Sequence, residues 1–380
     1  MTITYKYKLR VNKTQIEQIE EALRSIKFIR NKCLRYWIDN KETDLNVNQY
    51  WLRKYALTLR KEFPEFLENI HSHSAQEAAE RTWNSINRFY KACKNKVAGK
   101  KGYPKFAKSN TSLQFKGMGG YKLNLDTQHI TVNKTIGTMK LMGDRFPTVN
   151  SKILLCQIVK LADGYYCHLV TNDFRTEQAP ITSNVVGIDL GLKHFTIDSN
   201  GNTVDNPRFY RKLENKLKNK HRALSRKKKG SNNRRKARTK LAKAYLKLKR
   251  VRADWTIKLA RKTMLENDVV IVEKLQVKNL VRNSRLAKSI NDAAWTSYVN
   301  WLDTYSKVFS KQLVKINPKN TSQTCSKCSV KSKVKLTLAD RTFNCQKCGH
   351  SQDRDVNAAV NILNKGLYSK AFAVGTTVGI

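Results

Sequence analysis

Four cysteines within 24 residues carry the most specific chemical pattern in the chain: Cys325-Ser-Lys-Cys328, sixteen intervening residues, then Cys345-Gln-Lys-Cys348-Gly349. Two CxxC knuckles at that separation suit a tetrahedral four-thiolate zinc site, and sulfur at all four positions leaves no open coordination position. The expected Zn2+ is therefore structural. A redox pair is the competing reading, which the doubled motif, flanked by lysines, disfavours. The other cysteines, Cys33, Cys93, Cys156 and Cys167, are scattered among apolar residues and read as core thiols.

Three acids stand where ordinary core logic would not put them. Asp189 follows the apolar run Val185, Val186, Gly187, Ile188, and Glu273 ends the run Val269 to Val272. Asp355 falls in the first turn of a helix whose other face is Ala358, Ala359, Ile362 and Leu363. Ionised acids are seldom buried unless paired or bound to metal. Each acid alone has an ordinary explanation, as a solvated strand end or a partner for the helix dipole. Their order is more telling. A strand with Asp, a short antiparallel partner, a later strand ending in Glu and a helix bearing Asp make an RNase H-like arrangement, in which carboxylates meet at one end of a mixed sheet. Phosphodiester hydrolysis places charge on the attacking water, the non-bridging oxygens and the leaving oxygen together. Two divalent ions about 3.5 to 4 Å apart stabilise all three, and hard oxygen ligands hold them, so two Mg2+ are expected. Without metal, at least one of these carboxyls should have a raised pKa.

Residues 208 to 250 hold twenty Lys or Arg and one acid, Glu214. Leu213, Leu217 and Leu224, then Leu241, Leu246 and Leu248, supply apolar positions for two helices on either side of Gly230-Ser231-Asn232. A helical hairpin with Arg226, Lys227, Lys228, Lys229, Arg234, Arg235, Lys236 and Arg238 around its tip would track phosphates without reading sequence. In GKKGYPKF, Lys105 accompanies Tyr103 and Phe106, rings that either stack on bases or fill a core.

Several elements have to position these residues. Ile3, Tyr5, Tyr7 and Leu9 alternate with polar residues as in a half-buried strand. A helical stretch follows, with Thr14/Glu17 and Ser74/Glu77 as capping-box patterns. From Gly99 the texture changes to short β-branched runs, the clearest being ILLCQIVKL and YYCHLV across Ala162-Asp163-Gly164, a hairpin. An isolated first strand cannot satisfy its own backbone, so a barrel from residues 1–12 and 100–180 is expected, with a helical insert at 13–99. EQAPITSN reads as a linker. Beyond it a nuclease-type domain is expected at 184–317 and 352–366, including the hairpin 208–252 and interrupted by the cysteine module at 318–351. Asp353 should cap the last helix and Gly366 end it, leaving 367–380 as a disordered tail. The fold class is thus multidomain, α+β and α/β.

With 380 residues the chain has room for two or three cores, and 74 basic against 29 acidic residues leave +45. Such a charge calls for a polyanion, and nucleic acid is the expected partner. No apolar span or amphipathic anchor points to a membrane, and the amino terminus lacks the pattern of a secretory signal. The expected location is the cytoplasm, in contact with a prokaryotic nucleoid.

The segments GIDLGLK (Gly187 to Lys193), VIVEKLQVKNL (Val270 to Leu280), TSQTCSKC (Thr321 to Cys328) and CQKCGHSQDRDVNAAVNIL (Cys345 to Leu363), with GYPKF and the basic hairpin, resemble the TnpB (OrfB) family of insertion-sequence proteins, related to type V CRISPR effectors. The resemblance spans nearly the whole chain. It implies a RuvC-like domain with Asp189, Glu273 and Asp355 as catalytic acids, a zinc-binding target-nucleic-acid module and an amino-terminal wedge barrel with a helical recognition insert. It further implies a guide RNA from the transposon end and a double-stranded DNA target cut beside a short motif. A separate transposase encoded by the same element would be a further partner. Two departures stand out: Ser329 where Gly commonly follows the second cysteine, and Lys274 where an acid often follows the Glu. A strand-transfer transposase and a cleavage-inactive guide-directed repressor are the rival readings.

Overall fold

The alternating residues at the amino terminus do form a strand, and its partners come from more than a hundred residues away. The computed structural model describes residues 2–43, 45, 47–97, 99, 101–117, 119–133, 135–148, 151–173, 175–334 and 340–369. Two compact units, Met1–Phe174 and Arg175–Ile380, divide the chain. The first runs β1 (Thr2–Arg10), α1 (Lys13–Asn40), α2 (Gln49–Glu62), α3 (Pro64–Leu67), α4 (Ser72–Lys94), β2 (Ser112–Lys116), β3 (Tyr121–Asn124), β4 (His129–Val132), β5 (Gly137–Met142), β6 (Lys152–Leu161) and β7 (Gly164–Asn172).

Its seven strands pair antiparallel in the order β2-β6-β7-β1-β5-β4-β3, a near-closed barrel in which β1 lies between β7 and β5. Tyr7, Leu9, Phe115, Leu141, Ile158 and Leu169 are buried in it, each on the inward beat of its strand. The β6–β7 hairpin closes at Leu161 and Gly164, as the Asp-Gly pair foretells. Both capping assignments need correction. Asn12, not Thr14, starts α1: its side chain accepts from the Gln15 amide while the Gln15 side chain accepts from the Asn12 amide. In α4 the cap is His71, and Ser74 instead donates to the carbonyl of Gln114, tying the helix to β2. Cys33, Cys156 and Cys167 are buried as expected, but Cys93 is exposed near the end of α4.

The second unit contains β8 (Val185–Leu190), β9 (His194–Asp198), β10 (Thr203–Asp205), α5 (Phe209–Ser225), α6 (Asn232–Glu266), β11 (Val269–Glu273), α7 (Val277–Leu280), α8 (Ser284–Ala293), α9 (Trp295–Val308), β12 (Gln312–Ile316), β13 (Thr342–Asn344), β14 (Ser351–Asp353) and α10 (Arg354–Leu367). Residues 175–184 carry no regular element, and they are tied to this unit: Glu177 N donates to Val308 O, and the Asp268 carboxylate accepts from Thr182 N and Ser183 N.

The five-stranded sheet has the order β10-β9-β8-β11-β12. The pairs β10–β9 and β9–β8 are antiparallel, whereas β8–β11 and β11–β12 are parallel, which is the RNase H-like topology. Val186, Ile188, Val270, Ile271 and Val272 are all buried, because parallel strands covered on both faces need apolar residues at successive positions. α10 lies directly on β8. A Cβ at Gly187 would fall 2.4 Å from Ala359 O and 2.5 Å from Leu363 N, so only glycine permits this approach. Gly366 also differs from expectation: it is inside α10 rather than after it, and a Cβ there would meet Ile271 at 2.4 Å. Close packing selects glycine at this position, not helix termination. Of the expected tail, 370–380 lies outside the described residues. Among the described residues no helix is long and apolar enough to cross a membrane.

Candidate active site and four-cysteine module

Parallel pairing of β8 with β11 puts Ile188 opposite Val272, so the next residues, Asp189 and Glu273, are neighbours at the same end of adjacent strands. The third acid arrives on α10. Asp353 caps that helix, its carboxylate accepting from Asp355 N and Val356 N at 2.8 and 3.2 Å. With the start fixed there, Asp355 shares a helical stripe with Ala358, Ala359 and Ile362, which are buried. The expected capping role of Asp353 is therefore observed.

Asp189 feels the charge of both other acids. Asp189 is still reachable from solvent, yet densely surrounded by protein; burial first, then the charges of Glu273 and Asp355, push its carboxyl up to about 7. The Leu190 amide and Arg354 offset part of this. Burial also raises Glu273, against the Thr321 hydroxyl that donates to it and the Lys365 ammonium. The three carboxyls offer hard oxygen donors with incomplete positive compensation, the chemistry that suits a divalent cation such as magnesium, although among the described residues only the four cysteines form a group of three or more with ligand atoms within 4.8 Å of one another.

The four cysteine Sγ atoms lie within 4.8 Å of one another, with Cys325–Cys348 at 3.7 Å and Cys328–Cys345 at 3.5 Å. Tetrahedral thiolates around zinc at about 2.3 Å would be about 3.8 Å apart, so the donor set suits zinc. The two knuckles use the same turn twice. Ser329 N donates to Cys325 O and Cys325 N to Val330 O; Gly349 N donates to Cys345 O and Cys345 N to His350 O. Ser329 adopts φ +59° where Gly349 has +68°. The serine thus keeps the glycine-type turn, at a cost of about 1 kcal/mol for an L-residue in the left-handed region.

Sequence reasoning missed the residues that join the module to the acids. Thr321 donates to Glu273; Asn357 and Asn361, both buried on α10, bond the backbone of 321–326. The signal was present in Asn357 and Asn361, weak helix formers recurring four apart beside Ala358 and Ile362.

The basic hairpin forms from α5 and α6, with Leu213, Leu217 and Leu224 against Leu241 and Leu248. Arg226, Lys227, Lys228, Lys229, Arg235, Lys236 and Arg238 are exposed around its tip, and a groove between the helices is lined by Lys216, Lys220, Lys227, Lys236 and Lys240. Arg234 instead closes the turn, its guanidinium donating to Leu224 O and Lys227 O. Asp292 anchors the root, accepting from Tyr210 N and Arg211 N and pairing with Arg252 at 2.9 Å. In the other unit Lys105 is exposed, while Tyr103 packs against Trp37 and Phe89 and Phe106 lies under Arg35. Both rings are partly exposed edges of the helical region, not barrel core.

A mixed RNase H-like sheet with acids at one end, together with a four-thiol module inserted before the helix that carries the third acid, defines the RuvC-like class with a zinc-type insert. The OrfB_IS605 family model, described as "Probable transposase", matches residues 165–284, and the Cas12f1-like TNB domain model matches 295–362. A "Putative RNA-guided DNA endonuclease" of Streptomyces pristinaespiralis is 29% identical over 381 residues, covering 98% of this chain and 91% of that protein. The "Putative RNA-guided DNA endonuclease InsQ" of Escherichia coli K12 is 24% identical over 383 residues, covering 95% and 92%. Among solved structures, a Cas12f1–sgRNA–target DNA complex shares the fold with a TM-score of 0.61 at 15% identity, over 92% of this chain and 82% of that one. Over residues 165–284 and 295–362, and at lower identity over nearly its whole length, the chain is similar to TnpB/OrfB IS605 proteins.

Proposed function

We propose that this protein is an RNA-guided DNA endonuclease that hydrolyses phosphodiester bonds at Asp189, Glu273 and Asp355. The observation that carries the reading is the placing of Asp189 and Glu273 at the same end of adjacent parallel strands, with the Asp189 carboxyl raised by burial and by Glu273 and Asp355. Relatives matched over nine-tenths of their length and named "Putative RNA-guided DNA endonuclease" support the substrate class and the guide. The three carboxylates would hold two Mg2+, which when bound supply the positive charge that hydrolysis of a phosphodiester requires. Asp189 and Glu273 would orient the site from adjacent strands and Asp355 from the helix, leaving the carboxyls within reach of the attacking water. In this reading the four-cysteine module, 318–351, is a zinc-held platform for target nucleic acid, and the barrel (1–12 and 100–180) with its insert (13–99) holds guide and duplex. The outcome is a double-strand break beside a short target-adjacent motif.

The test is to purify the protein with RNA from its own locus, sequence that RNA, and offer a plasmid library matching it. Linear product with wild type and none with Asp189→Ala, at RNA and DNA affinities within a few-fold, is expected. Joined transposon ends instead of free breaks would establish the strand-transfer rival, and guide-dependent binding without cleavage the repressor.

A further inference from the structure

Beside its apolar stripe, α10 holds a polar one, four residues to the step: Asn357, Asn361, Lys365. All three grip one short segment, 319–326, which leads into the first zinc knuckle. Asn357 Nδ2 donates to Thr324 O at 2.9 Å and its Oδ1 accepts from Ser326 N at 2.9 Å, so its bonds straddle Cys325. Asn361 Nδ2 donates to both Thr321 O, at 2.9 Å, and Thr324 O, at 2.6 Å. Lys365 reaches Lys319 O. Asn357 and Asn361 are almost fully buried, and so is Thr321, whose hydroxyl donates to Glu273 Oε1.

Buried amides that meet only backbone partners are costly to install and costlier to disrupt, since each lost partner leaves a desolvated polar group behind. Nothing in an RNase H-like sheet alone demands them. They do join two sites: an unbroken run of hydrogen bonds leads from the Cys325 knuckle, through Asn357 and Asn361, to Thr321 and the Glu273 carboxylate. The same helix bears Asp355 at its first turn. We propose that Asn357, Asn361 and Thr321 are positioning residues that transmit the folded state of the four-cysteine module to Glu273, so that an ordered module sets the divalent-ion affinity of the carboxylate site. This inference rests on the reading of Asp189, Glu273 and Asp355 as metal ligands. Partners that orient ligating carboxylates ordinarily change metal affinity about 10- to 100-fold when removed.

The experiment is calorimetric titration of Mn2+ into the full-length protein, with zinc content and melting temperature measured on each sample. Asp189→Ala locates the signal: its loss identifies the acid cluster as the Mn2+ site. Thr321→Val removes the hydroxyl at nearly constant shape and should weaken Mn2+ about tenfold with zinc content and melting temperature kept. Thr321→Ser should restore the affinity, which a merely structural role would not predict. Asn361→Leu should weaken Mn2+ at least as much as Thr321→Val, and the double variant should be no weaker than Asn361→Leu alone. Mn2+ affinity within twofold of wild type in Thr321→Val would overturn the coupling while leaving the acid site standing, even where Asn361→Leu fails to fold. A wild-type protein whose Mn2+ signal is absent, or survives Asp189→Ala, would overturn the ligand reading and the coupling with it.

Discussion

Asp189 illustrates how a closely packed carboxylate works against the fold that holds it. Its carboxyl, pushed from 3.8 to about 7 by burial and by Glu273 and Asp355, prefers a proton in the native state far more than in the unfolded chain. Between the unfolded value near 4 and about 7, the folded form therefore keeps a proton that the unfolded form has lost. Native stability falls as pH rises through that window, and above it the deficit approaches about 4 kcal/mol. Asp189→Asn removes the ionisation and keeps the shape. In the presence of a chelator at pH 8 the variant should melt higher than wild type, the gap closing as pH falls towards 4. Adding Mg2+ should reverse the order, since the cation compensates the charge only where the carboxylate exists. Melting curves across pH with and without Mg2+ check this, and parallel pH slopes in the two proteins would mean that Asp189 is not held in the way its surroundings imply.

The elements that bear the site were legible in sequence to different depths, for physical reasons. β8 and β11 announced themselves as apolar runs ended by acids, because strands covered on both faces leave no alternation to confuse with solvent exposure. The cysteine knuckles were legible because four thiols at fixed spacing suit little chemistry besides metal binding. The caps of α1 and α4 were misplaced for different reasons: Asn12 with Gln15 is itself a capping-box pattern and a better cap than Thr14, whereas His71 lies outside the usual capping residues and gives no local signal. Gly366 looked like a stop because sequence shows the absence of a side chain and not what presses against it; Gly187 carries the same information, readable only once α10 lies on β8. The partners of buried Asn357, Asn361 and Thr321 were hidden for a related reason: the two amides meet backbone atoms, and the hydroxyl meets the Glu273 carboxylate, all more than thirty residues away. Gly187→Ala tests this helix–strand packing. The added methyl meets the backbone of Ala359 and Leu363, which cannot rotate aside, so α10 must lift. Overpacking of that kind costs about 1 to 3 kcal/mol and moves Asp355 away from Asp189. Chemical denaturation should show the loss, and Mg2+ should stabilise the variant much less than wild type. An alanine variant with wild-type stability and wild-type response to Mg2+ would show that the close approach is not required.

At the scale of the whole molecule the governing fact is a charge of +45 on 380 residues. Like charges at this density repel within the folded chain, and a polyanion relieves the repulsion while releasing its own condensed counterions. The α5–α6 hairpin concentrates the effect. Its apolar seam, Leu213, Leu217 and Leu224 against Leu241 and Leu248, is covered, while nearly every basic side chain points out. α6 alone, 35 residues long, spans about 50 Å, so its outer half can follow several phosphates of a duplex. Arg234 is left unchanged because it closes the turn through Leu224 O and Lys227 O. Arg235, Lys236 and Arg238 are free of that duty, and reversing them to Glu should leave the hairpin folded. Each phosphate no longer neutralised by the protein lowers the slope of log affinity against log salt by about 0.9 on duplex DNA. The triple variant should therefore bind more weakly at low salt, with a slope shallower by about 2 to 3, and by a similar loss for any sequence, since binding to phosphates carries no base information. Binding isotherms from about 50 to 300 mM salt on two unrelated duplexes decide the matter. An unchanged slope would make these arginines and this lysine a solvated surface, and a loss confined to one duplex would make them readers of sequence.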